Sequence, residues 1–354
     1  MEFENSYSML DRVLHRLAFA TRRLQVDFAQ TEDRKLPEQP LCPPVFVTAL
    51  PRAGTTLLLE CLAGLDEFAT HIYRDMPFVL VPQLWSRVSR NFQVREHRTE
   101  RAHGDGMLVG TDSPEAFSEM LWLAFYPKRY EGEWIKPWSD TAALAEFKPF
   151  FANHMRKIVA LRRPGSNARY ASKNNLNIAR IGALSRAFPD ANIVVPFRAP
   201  LQHAASLLRQ HRNFLDLHAR DPFARTYMAG VGHFDFGANL KPVNFDGWLE
   251  RTTHIDPLTL NFWLAYWIAT YRHLLTHQGA RIILVSFEKL SRDPAAQLRH
   301  LAEQLRLEDV AGFVANATKI KPAGDHAIDL SDVDASLVAE AEQLFTQLEA
   351  AALG

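Results

Sequence analysis

Two turns in this sequence carry residue types that can hold a phosphate. The first is Ala49-Leu50-Pro51-Arg52-Ala53-Gly54-Thr55-Thr56-Leu57-Leu58, set between the apolar run Val45-Phe46-Val47-Thr48-Ala49 and an apolar helical pattern. Gly54 allows a tight turn and a close backbone approach, the amides of Gly54 to Thr56 can point at an anion, and Thr55 and Thr56 add hydroxyl donors where a helix starts. Arg52 supplies fixed positive charge. The second turn follows Asn192-Ile193-Val194-Val195-Pro196-Phe197 and reads Arg198-Ala199-Pro200-Leu201-Gln202-His203-Ala204-Ala205-Ser206. Pro200 suits a first helical turn, where its missing N–H costs nothing. Arg198 thus leaves a strand end, while Ser206 lies about two turns into a helix. Both can reach one phosphate. Taken singly, each turn also fits a plain strand-to-helix connection with an exposed arginine.

The elements that must position these turns follow from pattern. Residues 45–49 are short, apolar and β-branched, as in a strand buried on both faces, and 169–172, 192–196 and 281–285 look similar. Helical patterns fall at 55–65, 114–125, 142–161, 177–188, 200–217 and 259–277. This alternation predicts an α/β fold, a central parallel sheet flanked by helices on both faces. In such a sheet ligands collect at the carboxyl ends of the strands, beside helix N-termini. Residues 1–44 read as an amphipathic helix over 7–28 with a link bearing Pro37, Pro40, Pro43 and Pro44. A single α/β domain with loop insertions is expected over 45–330, and a terminal helix in 331–354. The weakly periodic stretches 95–110 and 221–247, rich in Gly, His and charge, read as loops or lids.

The chain has 354 residues, 47% hydrophobic and 23% charged, with 40 Lys+Arg against 40 Asp+Glu. So much apolar material excludes a disordered or collagen-like chain. Zero net charge argues against a general nucleic-acid binder, though a local basic site fits it. The two cysteines, Cys42 and Cys61, indicate neither a disulfide framework nor a zinc site. No signal-peptide pattern and no apolar stretch of the ~20 residues that span a membrane is visible. The expectation is a cytoplasmic protein without a metal, its oligomeric state unreadable.

The first turn resembles a nucleotide-binding P-loop in its mechanics, yet the GxxxxGK[ST] pattern of ATP and GTP enzymes is absent. In order, the two turns resemble those of the sulfotransferase family that uses 3′-phosphoadenosine 5′-phosphosulfate (PAPS), as a bacterial-type member. Pro51-Arg52-Ala53-Gly54-Thr55-Thr56 is similar to the family's 5′-phosphosulfate loop, with Ala53 where Ser is common. Arg198-x-Pro200-x5-Ser206 is similar to its 3′-phosphate motif, and residues 281–290 with Asp293-Pro294 resemble its late strand. The resemblance implies the P-loop-like sulfotransferase architecture, PAPS as donor and 3′,5′-adenosine bisphosphate as by-product. It further implies that Arg52, Ala53, Gly54, Thr55 and Thr56 lie on the 5′ side and Arg198 and Ser206 on the 3′ phosphate. Tyr170-Ala171-Ser172-Lys173-Asn174-Asn175 resembles the family's Lys-bearing segment beside the transferred group, which makes Lys173 a second catalytic cation. Lys321 resembles a late basic residue that closes over the phosphates.

The acceptor must lose a proton, which calls for a carboxylate or a histidine. Where cytosolic members carry a His two residues after the Lys, this chain has Asn175, and an amide is no base at neutral pH. In tyrosylprotein-type members a Glu occurs near the position of Asp75, so Asp75 is the first choice, with Arg74 to orient it and His71 as an alternative. Glu115 is the second choice, though a first-turn acid behind an Asp112 or Ser113 cap explains it equally. His203, His211 and His218 read as a solvated or packed face rather than a metal site, and the stripe Phe262, Trp263, Tyr266, Trp267 and Tyr271 as core rather than a stacking surface for a ring. The acceptor, small molecule, carbohydrate, lipid or peptide, is not readable. The rivals are a nucleotide or small-molecule kinase with a degenerate phosphate loop, and a catalytically silent anion-binding scaffold.

Overall fold

Every side chain of strand β1 (Val45–Val47) is buried, which requires neighbours on both edges and cover on both faces. The computed structural model describes residues 9–34, 36, 40–89, 99–100, 108–109, 114–138, 144–252, 256–277, 281–321 and 327–352. Phe68–Ala69 is β2, Thr99–Glu100 β3, Leu108–Val109 β4, Arg169–Lys173 β5, Asn192–Phe197 β6 and Ile282–Ser286 β7. Five of these form one sheet in the order β2-β5-β1-β6-β7, every pair parallel, while β3 and β4 make a separate antiparallel pair. The α/β fold expected from the alternating pattern is therefore present. Alternate residues of the strands feed opposite layers. Phe46, Ile193 and Val195 face one apolar cluster, with helices Phe147–Arg162 and Leu260–Leu275, and Val45, Val47 and Val194 face the other, with helices Thr55–Ala63 and Pro294–Leu305. No helix among the described residues is long and apolar enough to cross a membrane.

The register sets up the site. Val47 pairs with Lys173 on one side and Val194 on the other, so the carboxyl ends of β5, β1 and β6 are adjacent. The segments leaving them carry Lys173, the Arg52 turn and Arg198.

Local differences from the sequence reading have identifiable causes. The expected helix over 7–28 is two helices, Met9–Ala20 and Arg22–Asp33, because Thr21 leaves helical backbone (φ −101°, ψ 14°) and its Oγ1 donates to Leu17 O at 2.8 Å. Buried Lys157 pins the second of these by pairing with the Asp33 carboxylate, 2.6 Å from Oδ1, and donating to Ala29 O at 2.8 Å. The helix expected from 114 starts only at Glu119, since Pro114 bridges to Ile72 and Glu115 N donates to His71 O. Within 221–247 lies a helix, Pro222–Val231, whose caps were visible in the residues: Asp221 accepts from Phe223 N and Ala224 N, and left-handed Gly232 closes it. Most of 95–110, and Asp112 and Ser113, lie outside the described residues.

Candidate active site

The chain leaves β1 through Thr48, whose N–H donates to Val194 O at 2.9 Å and whose Oγ1 donates to Asn175 O at 3.0 Å. The turn is thereby tied to β6 and to the segment after β5. Arg52 and Gly54 both adopt left-handed backbone, φ 70° and 94°. Gly54 precedes the helix Thr55–Ala63, and a Cβ there would stand 3.2 Å from Phe287 Cδ2, so conformation and space both select glycine. For Arg52 the same region costs roughly 1–2 kcal/mol. Such strain persists only where surroundings impose it, and here Pro51 O accepts from His203 Nε2 at 2.7 Å and Arg52 O from Arg198 Nη1 at 3.2 Å. The two turns singled out in the sequence are one structure.

The charges converge as well. Arg198 lies over the Phe287 ring, 5.0 Å from its centroid, with a buried Nε that has no hydrogen-bond partner among the described residues. Burial lowers the Arg198 pKa, Arg52 and Arg209 push the same way, and Glu288 opposes them. His203, buried on the helix Pro200–Arg220, is pushed down to about 3 by burial and then by the Arg198 and Arg52 charges. It is neutral, and the carbonyl it faces assigns its N–H to Nε2. Ser206 is buried one turn further along that helix, Ala53 and Thr55 are buried, and Thr56 is half-buried. Glu288 Oε1 accepts Ala199 N at 2.7 Å and fixes the corner from which Arg198 projects. Guanidiniums gathered beside a helix N-terminus suit a compact polyanion.

At the end of β5 an open pocket of about 730 Å³, measured out into its mouth, is bordered by Lys173, Asn175, Glu115, Tyr73, Tyr227 and Asp235. Behind it, buried Glu119 accepts from Arg180, from the Tyr130 hydroxyl and from Asn174 Nδ2. Arg180 stacks on Trp122, 4.2 Å from the ring centroid. Asn174 Oδ1 accepts Leu176 N, so the residues following Lys173 are fixed by an internal polar network.

Two expected site residues are not among those lining this pocket. Asp75 is buried and outside the pocket lining; Arg162 and His71 hold its carboxylate, and Ile72 N donates to it at 3.0 Å. Burial pushes its pKa up, but His71, Arg162 and the Ile72 amide outweigh this and hold it below the usual carboxylate range. The Asp75 carboxylate is thus held in a buried ion pair. Lys321 is exposed, and among the described residues nothing bonds it to the phosphate turn. Glu115 does border the pocket, with Oε1 accepting Ala116 N at 2.9 Å and Oε2 buried. Arg209, His203, Phe287, Glu288, Glu119, Arg180 and Asp235 were missed as site residues. Arg209 and His203 had a local signal, each three residues from Ser206 on the same helix.

The histidine face of the helix Pro200–Arg220 makes a pH prediction. His211 Nδ1 accepts Gly237 N and His218 Nδ1 accepts Ala238 N, both at 3.1 Å, and burial pushes both rings down to about 4. These rings, like His203, are neutral when folded and protonate near the ordinary value when unfolded. The unfolded chain then binds more protons below about pH 6.5. Their contribution is complete above that pH and is lost progressively as pH falls. For fully buried His203 the loss between pH 6.5 and 5.0 is about 2 kcal/mol. Urea unfolding at pH 7.5 and 5.0 should show a clearly lower midpoint at pH 5.0; equal midpoints would contradict the neutral rings.

The profile of the Sulfotransferase family matches residues 43–311. Among solved structures, sulfotransferase STF1 from Mycobacterium tuberculosis H37Rv superposes with a TM-score of 0.50 at 14% identity, over 96% of this chain and 86% of that one. Sulfotransferase STF9 from Mycobacterium avium gives 0.49 at 15% identity, over 94% and 82%. No curated protein sequence matches the chain.

Proposed function

The chain belongs to the sulfotransferase family, and from that premise we propose that it moves a sulfuryl group from PAPS to a hydroxyl or amine of an acceptor. The observation that carries this reading is the adjacency of the carboxyl ends of β5, β1 and β6, bearing Lys173, the Arg52 turn and Arg198. The residues fit such a donor: a Cβ at Gly54 would crowd the Phe287 ring beside the turn, Arg198 Nε lacks a partner among the described residues, and Arg52 and Arg209 both press on the Arg198 charge, which a bound anion would offset. When bound, the donor supplies an activated sulfuryl group on a phosphate leaving group.

The chain's own residues then divide the work. Arg52 and the amides of Gly54, Thr55 and Thr56 hold the 5′ side, with Ala53 in the bend, and Arg198 and Ser206 hold the 3′ phosphate. Lys173 stands where this site meets the pocket, so with Arg52 it stabilises charge growing on the leaving oxygen. The acceptor enters by the pocket at the end of β5.

The test is binding of 3′,5′-adenosine bisphosphate. At about 100 times its dissociation constant a ligand of the native state adds about 2.7 kcal/mol, readable as a raised melting temperature. Arg198→Ala should weaken this binding about 10- to 100-fold, the worth of charge-assisted hydrogen bonds of about 1.5–3 kcal/mol. No stabilisation by the bisphosphate, with a clear response to Mg-ATP, would replace the reading with a kinase.

A further inference from the structure

The pocket at the end of β5 holds three acids, and their surroundings differ. Glu119 is consumed by Arg180, Tyr130 and Asn174. Glu115 turns one oxygen to Ala116 N and buries the other. Asp235, on the turn after the helix Pro222–Val231, is held through a single oxygen. Its Oδ2 accepts from Asn175 Nδ2 at 3.2 Å and lies 3.6 Å from His233 Nε2, while no residue among those described hydrogen-bonds Oδ1. The side chain borders the pocket and is 14% exposed.

Asn175 makes this placement specific. It lies two residues after Lys173, its carbonyl accepts the Thr48 hydroxyl at the start of the Arg52 turn, and its amide donates to Asp235. One residue therefore connects the phosphate turn, the Lys173 strand end and the carboxylate across the pocket. His233 is itself steadied by stacking on Phe214, at 5.2 Å and 13°.

Resting on the sulfotransferase reading above, we propose that Asp235 is the general base of the transfer, with Asn175 and His233 as its positioning residues, and that the acceptor is a hydroxyl on an aromatic body. Tyr73 and Phe117 form one wall, edge to face at 5.8 Å, and Tyr227 and Met228 belong to the same pocket. These surfaces suit a flat apolar group. In the step, Asp235 takes the hydroxyl proton as the acceptor oxygen bonds to sulfur. The bond from sulfur to the bridging oxygen breaks, the phosphate leaves with the electron pair, and the proton passes from the carboxyl group to water. The charged and titratable groups that share the pocket with Asp235 are His233, Lys173, Glu115, Glu119, Tyr73 and Tyr227, and its charge also acts on the buried Tyr266 hydroxyl from the helix Leu260–Leu275.

The experiment measures transfer from PAPS to a series of phenols of graded acidity, alongside calorimetric binding of 3′,5′-adenosine bisphosphate. Asp235→Asn should lose turnover about 100-fold or more, with bisphosphate affinity within about twofold of the wild type. Its loss should be largest for the least acidic phenols and smallest for 4-nitrophenol, which needs least help to ionise. Asn175→Ala should show the same tilt more weakly, which covers the case in which Asp235→Asn does not fold. A uniform loss across the series would mark a structural role and overturn the assignment. Full activity in Asp235→Asn with loss in Glu115→Gln would hand the role to Glu115. Bisphosphate binding without transfer to any phenol would overturn the acceptor class, and absent bisphosphate binding would instead remove the donor reading on which the proposal rests.

Discussion

Replacing Arg52 by alanine lowers sulfuryl transfer about 100- to 1000-fold, the scale of losing one preorganised donor at a site of developing charge. The fold should be nearly indifferent to the same change. Arg52 sits at φ 70°, and its backbone is held from outside, by Arg198 on its carbonyl and His203 on that of Pro51. Alanine inherits the same strain and the same carbonyl contacts. Arg52→Gly removes the strain and adds freedom to the unfolded chain, so the two effects oppose each other and stability should move by less than about 1 kcal/mol. Turnover with PAPS and urea unfolding of Arg52→Ala, Arg52→Gly and Arg52→Lys measure both quantities. The lysine variant should recover part of the rate through charge without the fork of a guanidinium. A rate within threefold of wild type in Arg52→Ala would show that the turn binds its anion through backbone amides alone.

The contrast between this turn and the pocket explains how much the residues alone disclosed. The turn is local chemistry: Gly54, Thr55 and Pro200 need their neighbours in sequence, and the buried strands before them are continuous apolar runs, so position and role could be read together. β5 was legible only faintly, yet its end at Lys173 follows from its pairing with β1. The pocket is non-local. Asp235 reaches Asn175 across 60 positions, and the Arg162 that claims Asp75 stands 87 positions away. Spacing put Asp75 near the right sheet edge, but no pattern announces that a distant arginine and a buried histidine already hold it. The helix Pro222–Val231 is a different case. Its Asp, Pro and Gly caps were present in the residues, and it went unread because its apolar periodicity is broken by Arg225, Thr226 and Gly230.

The largest expected loss of stability comes from Arg180→Met. Arg180 and Glu119 are both buried, and their ion pair is joined by Tyr130 and Asn174 on the carboxylate and by Trp122 under the guanidinium. Removing the arginine leaves an uncompensated carboxylate in the interior, which costs about 3–5 kcal/mol. Burial and the neighbouring Glu119 charge already push the Tyr130 hydroxyl far above its ordinary pKa, so that side chain can donate to the carboxylate but cannot neutralise it. If the cost is that of an orphaned charge, the double variant Arg180→Met with Glu119→Leu should be more stable than Arg180→Met alone, because the second change removes the charge that the first exposed. A double variant less stable than either single change would mean that packing against Trp122 and Trp138 carries the energy. The same measurement bears on the pocket. Asn174 is oriented by Glu119 and lies between Lys173 and Asn175, so the double variant, though folded, should bind 3′,5′-adenosine bisphosphate normally while its transfer rate falls, since the residues that aim Lys173 and Asp235 have lost their support.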